Sequence, residues 1–551
     1  MVKFYRAMKL LKLVAICFLF NFSLNAQNNA PSKPKLVVGI VVDQMRYDYL
    51  KRFDNKFGNQ GFKKLLNEGY ALNNTHFNYI PTYTAVGHTS IYTGTTPFYH
   101  GVISNDWYDK YLKKSIYCVD DERYETVGAL QGGKKSPFRM LTTTVTDQLH
   151  LAQNRHGKTI GISIKDRSAI LPVGHTANAA YWFEGKEYGY FITSTFYMKA
   201  LPKWVNDFNQ SGVAKKYLET PWETKYPINT YTESIADDNI FEGMFKGETS
   251  PTFPHNIPKL QETNGGYDIL KATPQGNALV EDFAEVAILS ENLGKSNDTD
   301  FLALSFSSTD YIGHQYGVDS KEVEDTYIRL DADIADLLMF LDKHVGKGNY
   351  TVFLTADHAA VQVPAYLSSL KIPAGYLNPK LLESRINEIT KAYFNATDLF
   401  ENVSNYQIFL NYQKIKDLGL NIINVENVLA DELITYDGVY KTITAHTLQT
   451  TSFNGGVMQL LQNGYNQKFS GDVLLIPFPL TIAYPHTGST HGSGYNDDTH
   501  VPLIFYGAGI KKGVSNAYYP ITAIAPTIST LLGIEFPSAS FGIVIDEVLK
   551  K

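Results

Sequence analysis

Four short stretches of this chain place carboxylates and imidazoles where they could hold metal ions. Asp310-Tyr-Ile-Gly-His314 sets an acid and a histidine four residues apart directly after an apolar run. Asp357-His358 is an adjacent pair after another such run, and Asp43 ends a third. His491 lies in the Gly/Ser-rich stretch His486 to Gly494, where a pliant backbone lets a side chain face a ligand. Three Asp and three His suffice for two zinc ions with three protein donors each, since zinc takes oxygen and nitrogen and can keep a position open. Singly, an Asp after a strand is usually a helix cap and a His is usually structural. Their joint placement after buried runs is what favours a metal centre.

A hydroxyl-rich segment supplies candidate nucleophiles: Thr82, Tyr83, Thr84, Thr89, Ser90, Tyr92 and Thr93. A threonine opening a helix would sit near unpaired backbone N–H groups that also suit phosphate. Composition alone leaves Thr82 and Thr84 open. Asn105 could donate its amide to a phosphate oxygen, and Lys165-Asp166-Arg167 offers two cations after a strand, although such a triplet is ordinarily a solvated surface feature.

These residues need a scaffold that brings them to one edge. Lys35 to Val42 reads KLVVGIVV, apolar on both faces, as a central parallel strand requires. Similar runs recur at 159–164, 301–306, 350–355 and 501–506, with helix-like stretches between them such as Lys321 to Leu341. This alternation predicts an α/β fold, a mostly parallel sheet covered by helices, with polar sites beyond the strand ends. Residues of about 175–295 and 375–480 lack the rhythm and are expected to be cap insertions in one catalytic domain spanning 27–551.

Residues 1–26 read as a signal peptide: Lys3, Arg6, Lys9 and Lys12 precede an apolar run, Leu13 to Phe20, and Ala26 offers a cleavage site. Met8 is an alternative start. An exported, periplasmic or secreted protein is expected, without a stable membrane span after cleavage and with Cys118 as its one remaining cysteine, so no internal disulfide. Removing four basic residues takes the formal charge from −6 to about −10, which argues against nucleic acid as the main partner. A monomer is expected.

The segments VVDQMRYDYL (41–50), PTYTAVGHTSIYTGTTPFYHG (81–101), STDYIGHQYG (308–317), TADHA (355–359) and HTGSTHG (486–492) resemble the alkaline phosphatase superfamily. The resemblance is especially to zinc-dependent alkaline phosphatases of the PafA type and, more distantly, to nucleotide pyrophosphatase/phosphodiesterases. The resemblance implies an alkaline-phosphatase-like sheet and two Zn2+. One ion would be held by Asp310, His314 and His491, the other by Asp43, Asp357 and His358 with the Thr84 oxygen. It also picks Thr84 over Thr82 as nucleophile, and makes Asn105, Lys165 and Arg167 a phosphate clamp. The implied activity is hydrolysis of small phosphate monoesters through a phosphothreonine. A phosphodiesterase of the same superfamily is the alternative, and a non-catalytic binding protein a weaker one.

Overall fold

The computed structural model describes residues 33–550, so the signal peptide expected at 1–26 lies outside the described residues. An eleven-stranded sheet forms the frame. Leu36–Val42 is central and pairs in parallel with Asp300–Phe306 on one side and Tyr350–Thr355 on the other. All three strands are buried along their whole length, which is why their sequences lack polar alternation. Thr159–Ser163 and Ala179–Glu184 extend the parallel set beyond Asp300–Phe306. On the other flank His500–Gly507 runs antiparallel to Tyr350–Thr355, and Tyr70–His76 runs antiparallel to it in turn.

Register explains how the candidate donors meet. Val41 pairs with Thr355, and Val42 with Phe306, so three strands end level. Asp43, Asp357 and the helix Ser308–Tyr316 all begin at that one edge. The helix Lys321–Leu341 follows, its buried face carrying Ile334, Leu337, Leu338 and Leu341.

Ala179–Glu184 and Tyr190–Ser194 belong to the main sheet, and Pro274–Ser290 is a helix with a mostly buried face; these elements fall inside the first span lacking strand–helix rhythm. Within 375–480, Phe400–Ser404, Gln407–Leu410, Val473–Pro477 and Val439–Thr444 make a separate four-stranded sheet. It packs with the helices Pro379–Phe394 and Ile422–Leu433 over a core that includes Leu382, Ile386, Ile408, Leu429 and Val473.

Candidate metal centre and nucleophile

Asp43, Asp357 and His358 are wholly buried, and Asp310 and His491 nearly so. Donor atoms of Asp43, Asp357 and His358 lie within 4.8 Å of one another, as do those of Asp310, His358 and His491. The first triad is the expected one. In the second, His358 stands where His314 was expected, so His358 is common to both. His314 nevertheless approaches the same acid: its Nε2 lies 3.2 Å from Asp310 Oδ1, and His491 Nε2 lies 3.6 Å from that oxygen.

Each imidazole is oriented by its other nitrogen. Nδ1 of His314 bonds the Ser489 carbonyl at 2.7 Å, Nδ1 of His491 the Thr82 carbonyl at 2.7 Å, and Nδ1 of His358 the Ala359 carbonyl at 3.0 Å. Such bonds turn Nε2 inward as a lone-pair donor. Burial pushes His358 down to about 3 and lowers His491 too, so both rings stay neutral, as metal ligation requires.

The carboxylates show the strain of crowding three acids in one dry site. Asp43 is raised well above the usual range by burial and by Asp310 and Asp357. Burial also works against Asp310, but His314 and Lys165 hold it well below that range. Asp43 Oδ1 and Asp357 Oδ2 are buried with no hydrogen-bond partner among the described residues. Unpartnered carboxylate oxygens at this depth are costly unless a cation meets them. The donor set therefore fits two zinc ions.

Thr84 is the first residue of the helix Thr84–Thr93, and its Oγ1 lies 3.3 Å from His358 Nε2. Thr82 points elsewhere, its hydroxyl donating to the Ser493 carbonyl at 2.9 Å. Geometry thus separates two hydroxyls that composition could not. The expectation of unpaired N–H groups at this helix start is corrected in one respect: the Ala85 N–H donates to Asn105 Oδ1 at 2.9 Å. Asn105 is thereby fixed beside Thr84, and its amide nitrogen has no protein acceptor among the described residues.

Lys165 differs from a free phosphate-facing cation. Its Nζ bridges Asp43 Oδ2 at 2.8 Å and Asp310 Oδ2 at 2.5 Å. An ammonium has three protons, so one donor remains. Arg167 donates to the Tyr117 hydroxyl at 2.9 Å, and its buried Nε has no partner among the described residues. Asp166, between the two cations, accepts from the same Tyr117 hydroxyl at 2.5 Å and pairs with Lys135 at 3.2 Å, so it orients the Arg167 side rather than facing solvent. A cavity of about 290 Å³ adjoins this group, lined by Lys135, Lys165, Arg167, Lys271 and Trp182 among others.

Sequence reasoning missed Gln44. It adopts φ +64°, donates through Nε2 to Asp310 Oδ1 at 2.7 Å and through its backbone N–H to Asp357 Oδ1 at 3.2 Å. Its place directly after Asp43 was the one available signal. His88 is wholly buried, with Nδ1 3.0 Å from the Thr84 carbonyl and 3.3 Å from Asp357 Oδ2. His500 stacks on Tyr47 and His76.

Known proteins share this chain's sequence pattern and fold. The family model for type I phosphodiesterase / nucleotide pyrophosphatase matches residues 37–477. The chain is 46% identical over 98% of its length, and 99% of the relative's, to a calcium-transporting ATPase of Myroides odoratus. It is 45% identical to alkaline phosphatase PafA of Elizabethkingia meningoseptica, over 96% of each chain. A crystal structure of wild-type alkaline phosphatase PafA superposes with a TM-score of 0.91 at 44% identity, covering 95% of this chain and all of that one. With both the sheet and nearly the whole sequence matched, the chain belongs to the type I phosphodiesterase / nucleotide pyrophosphatase family and, within it, to the PafA group of alkaline phosphatases.

Proposed function

We propose that the protein hydrolyses small phosphate monoesters through covalent attack by Thr84. The observation that supports this most directly is the Thr84 hydroxyl lying against the buried Asp/His cluster, with Asn105 bonded to the next backbone N–H and Lys165 bonded to two of the cluster's acids. Asp43, Asp357 and His358 would hold one zinc, and Asp310, His314 and His491 the other. Zinc bound there supplies Lewis acidity that lowers the pKa of the Thr84 hydroxyl and stabilises charge on the leaving oxygen.

The deprotonated Thr84 oxygen attacks phosphorus, a bond to Thr84 forms, and the bond to the leaving oxygen breaks. Water then attacks the phosphothreonine in line, releasing inorganic phosphate and regenerating Thr84. The free Asn105 amide protons, the third Lys165 proton and the spare Arg167 donors serve the nonbridging oxygens. Held by neighbours before substrate arrives, they need little reorganisation as charge develops.

A monoester offers three unbridged oxygens and nearly two negative charges to this donor set. A diester has one oxygen blocked and carries one charge less, so part of the clamp would lack a partner. That difference places the monoester above the phosphodiester of the family's name. The γ-phosphoryl group of ATP presents the same three oxygens, so the Myroides relative's name is compatible with attack on a terminal phosphoryl group. Among the described residues no helix is long and apolar enough to cross a membrane. The reading includes export, supported by the basic and apolar run within residues 1–26, and a monomer whose main substrate is not nucleic acid, supported by the net charge of −6.

The zinc-loaded protein and its Lys165→Ala and Arg167→Ala variants test the assignment on a matched monoester and diester. The variants should lose on the order of 10²-fold in kcat/KM on the monoester and far less on the diester. Equal losses on both would remove the argument from the clamp. Thr84→Ala should abolish covalent labelling by substrate while keeping most of the metal.

A further inference from the structure

The hairpin joining Phe400–Ser404 to Gln407–Leu410 turns through Asn405 and Tyr406, at φ +53° and +59°. Asparagine tolerates this left-handed region, whereas tyrosine is strained there by its Cβ. Strain of this kind persists where the surroundings over-determine it, and it concentrates at functional sites. Here the Tyr406 hydroxyl accepts from the Ala483 N–H at 3.0 Å, and its carbonyl from the Leu475 N–H at 2.9 Å. The fold holds an aromatic ring at a hairpin tip where glycine or asparagine would relax the backbone.

Beside that ring lies a cavity of about 270 Å³, walled by Tyr83, Leu377, Leu382, Val403, Tyr406 and His491. None of its lining side chains is a lysine, arginine or acid. The cavity next to Lys165 and Arg167 is lined by several charges of both signs. The two cavities therefore suit groups of opposite character.

Two walls tie the apolar cavity to the reaction centre. Tyr83 immediately precedes Thr84, and its ring meets the His491 ring edge-on at 5.7 Å. His491 belongs to the donor group of Asp310. In an in-line displacement the leaving oxygen departs away from Thr84, and the group of Asp310, His314 and His491, which does not claim the Thr84 oxygen, is the one left to meet it. We infer that this cavity receives the organic portion of the ester and favours aryl and other flat apolar alcohols. The inference rests on the monoesterase reading.

Phenyl phosphate and 2-naphthyl phosphate have leaving alcohols of similar acidity, so their ratio isolates the fit of the second ring. With the zinc-loaded protein, kcat/KM should favour the naphthyl ester by about fivefold to tenfold, as burial of the extra apolar area implies. Tyr406→Ala and Leu382→Ala should each erase most of that advantage, and should lower naphthyl turnover at least several-fold more than methyl phosphate turnover. Calorimetry of naphthyl- and methylphosphonate on Thr84→Ala protein gives a second readout without turnover, and should show the same preference and its loss in the double variants. No naphthyl preference in the parent, or equal losses on every ester in the variants, would overturn the inference while leaving the monoesterase reading intact. Absence of phosphate release from every monoester would instead overturn that underlying reading.

Discussion

Lys165 bonds to Asp43 and Asp310, and in the proposed clamp this one side chain would couple the acids to the substrate. Gln44 plays a comparable supporting part: it is 3% exposed, and its amide fixes the Asp310 oxygen shared by His314 and His491. Gln44→Ala should weaken zinc binding about 10- to 100-fold, the usual cost of losing a group that orients a ligand, with the melting temperature in saturating zinc little changed. Zinc titration against a competing chelator measures this, and unchanged affinity would remove Gln44 from the site. At this scale the sequence was readable where chemistry is intrinsic to a residue: Asp43, Asp357 and His358 stood out by type and by following buried runs, and His491 by its Gly/Ser-rich surroundings. Gln44 and the bridge made by Lys165 were not readable, because both depend on partners more than a hundred residues away.

The helix Thr84–Thr93 is pressed unusually close to the strand end that carries Asp357. A Cβ added at Gly87 would lie 2.0 Å from the Asp357 carbonyl oxygen, too close for any real contact. The glycine therefore sets how near Thr84 comes to His358. Gly87→Ala should push the helix outward, costing about 1–3 kcal/mol of stability and lowering kcat by at least about tenfold through misplacement of Thr84. Denaturant unfolding and steady-state kinetics would check the two effects; wild-type activity in this variant would show that the close approach is dispensable. Gly313 has the same kind of role, since a Cβ there would meet Gln44 Oε1 at 1.9 Å. Buried strands such as Leu36–Val42 were legible from their unbroken apolar sequence. Tyr70–His76 and Phe400–Ser404 were not, because YALNNTH and FENVS carry polar residues that half-exposed or edge strands tolerate.

Over the whole molecule, the large sheet presents one catalytic edge, and the smaller sheet of 400–477 brings its own core and Tyr406 to that edge. The α/β class was legible from the spacing of apolar runs. The antiparallel direction of His500–Gly507 was not, because a strand buried on both faces reads alike in either direction. A buried acid–histidine cluster beside Tyr316 makes stability depend on pH. Although burial opposes its charge, His255 is raised to about 9 by Glu248 and Glu322, at 2.8 and 3.2 Å. A raised folded pKa stabilises fully below the unfolded value of about 6.5 and is lost as pH rises through about 9, a contribution on the order of 3 kcal/mol. Glu242 acts in the same sense, being raised to about 10 by burial and Glu322. The melting-temperature gap between wild type and His255→Gln should therefore be wide near pH 6 and narrow near about pH 10; a gap independent of pH would contradict the pairing. The central claim concerns the substrate, and its most direct test is the ratio of kcat/KM for phenyl phosphate to that for methyl phenyl phosphate, measured on the zinc-loaded wild-type protein. The account predicts a ratio of at least about 10², from donors left unpaired by the blocked oxygen; a ratio below one would contradict it and make the protein a phosphodiesterase.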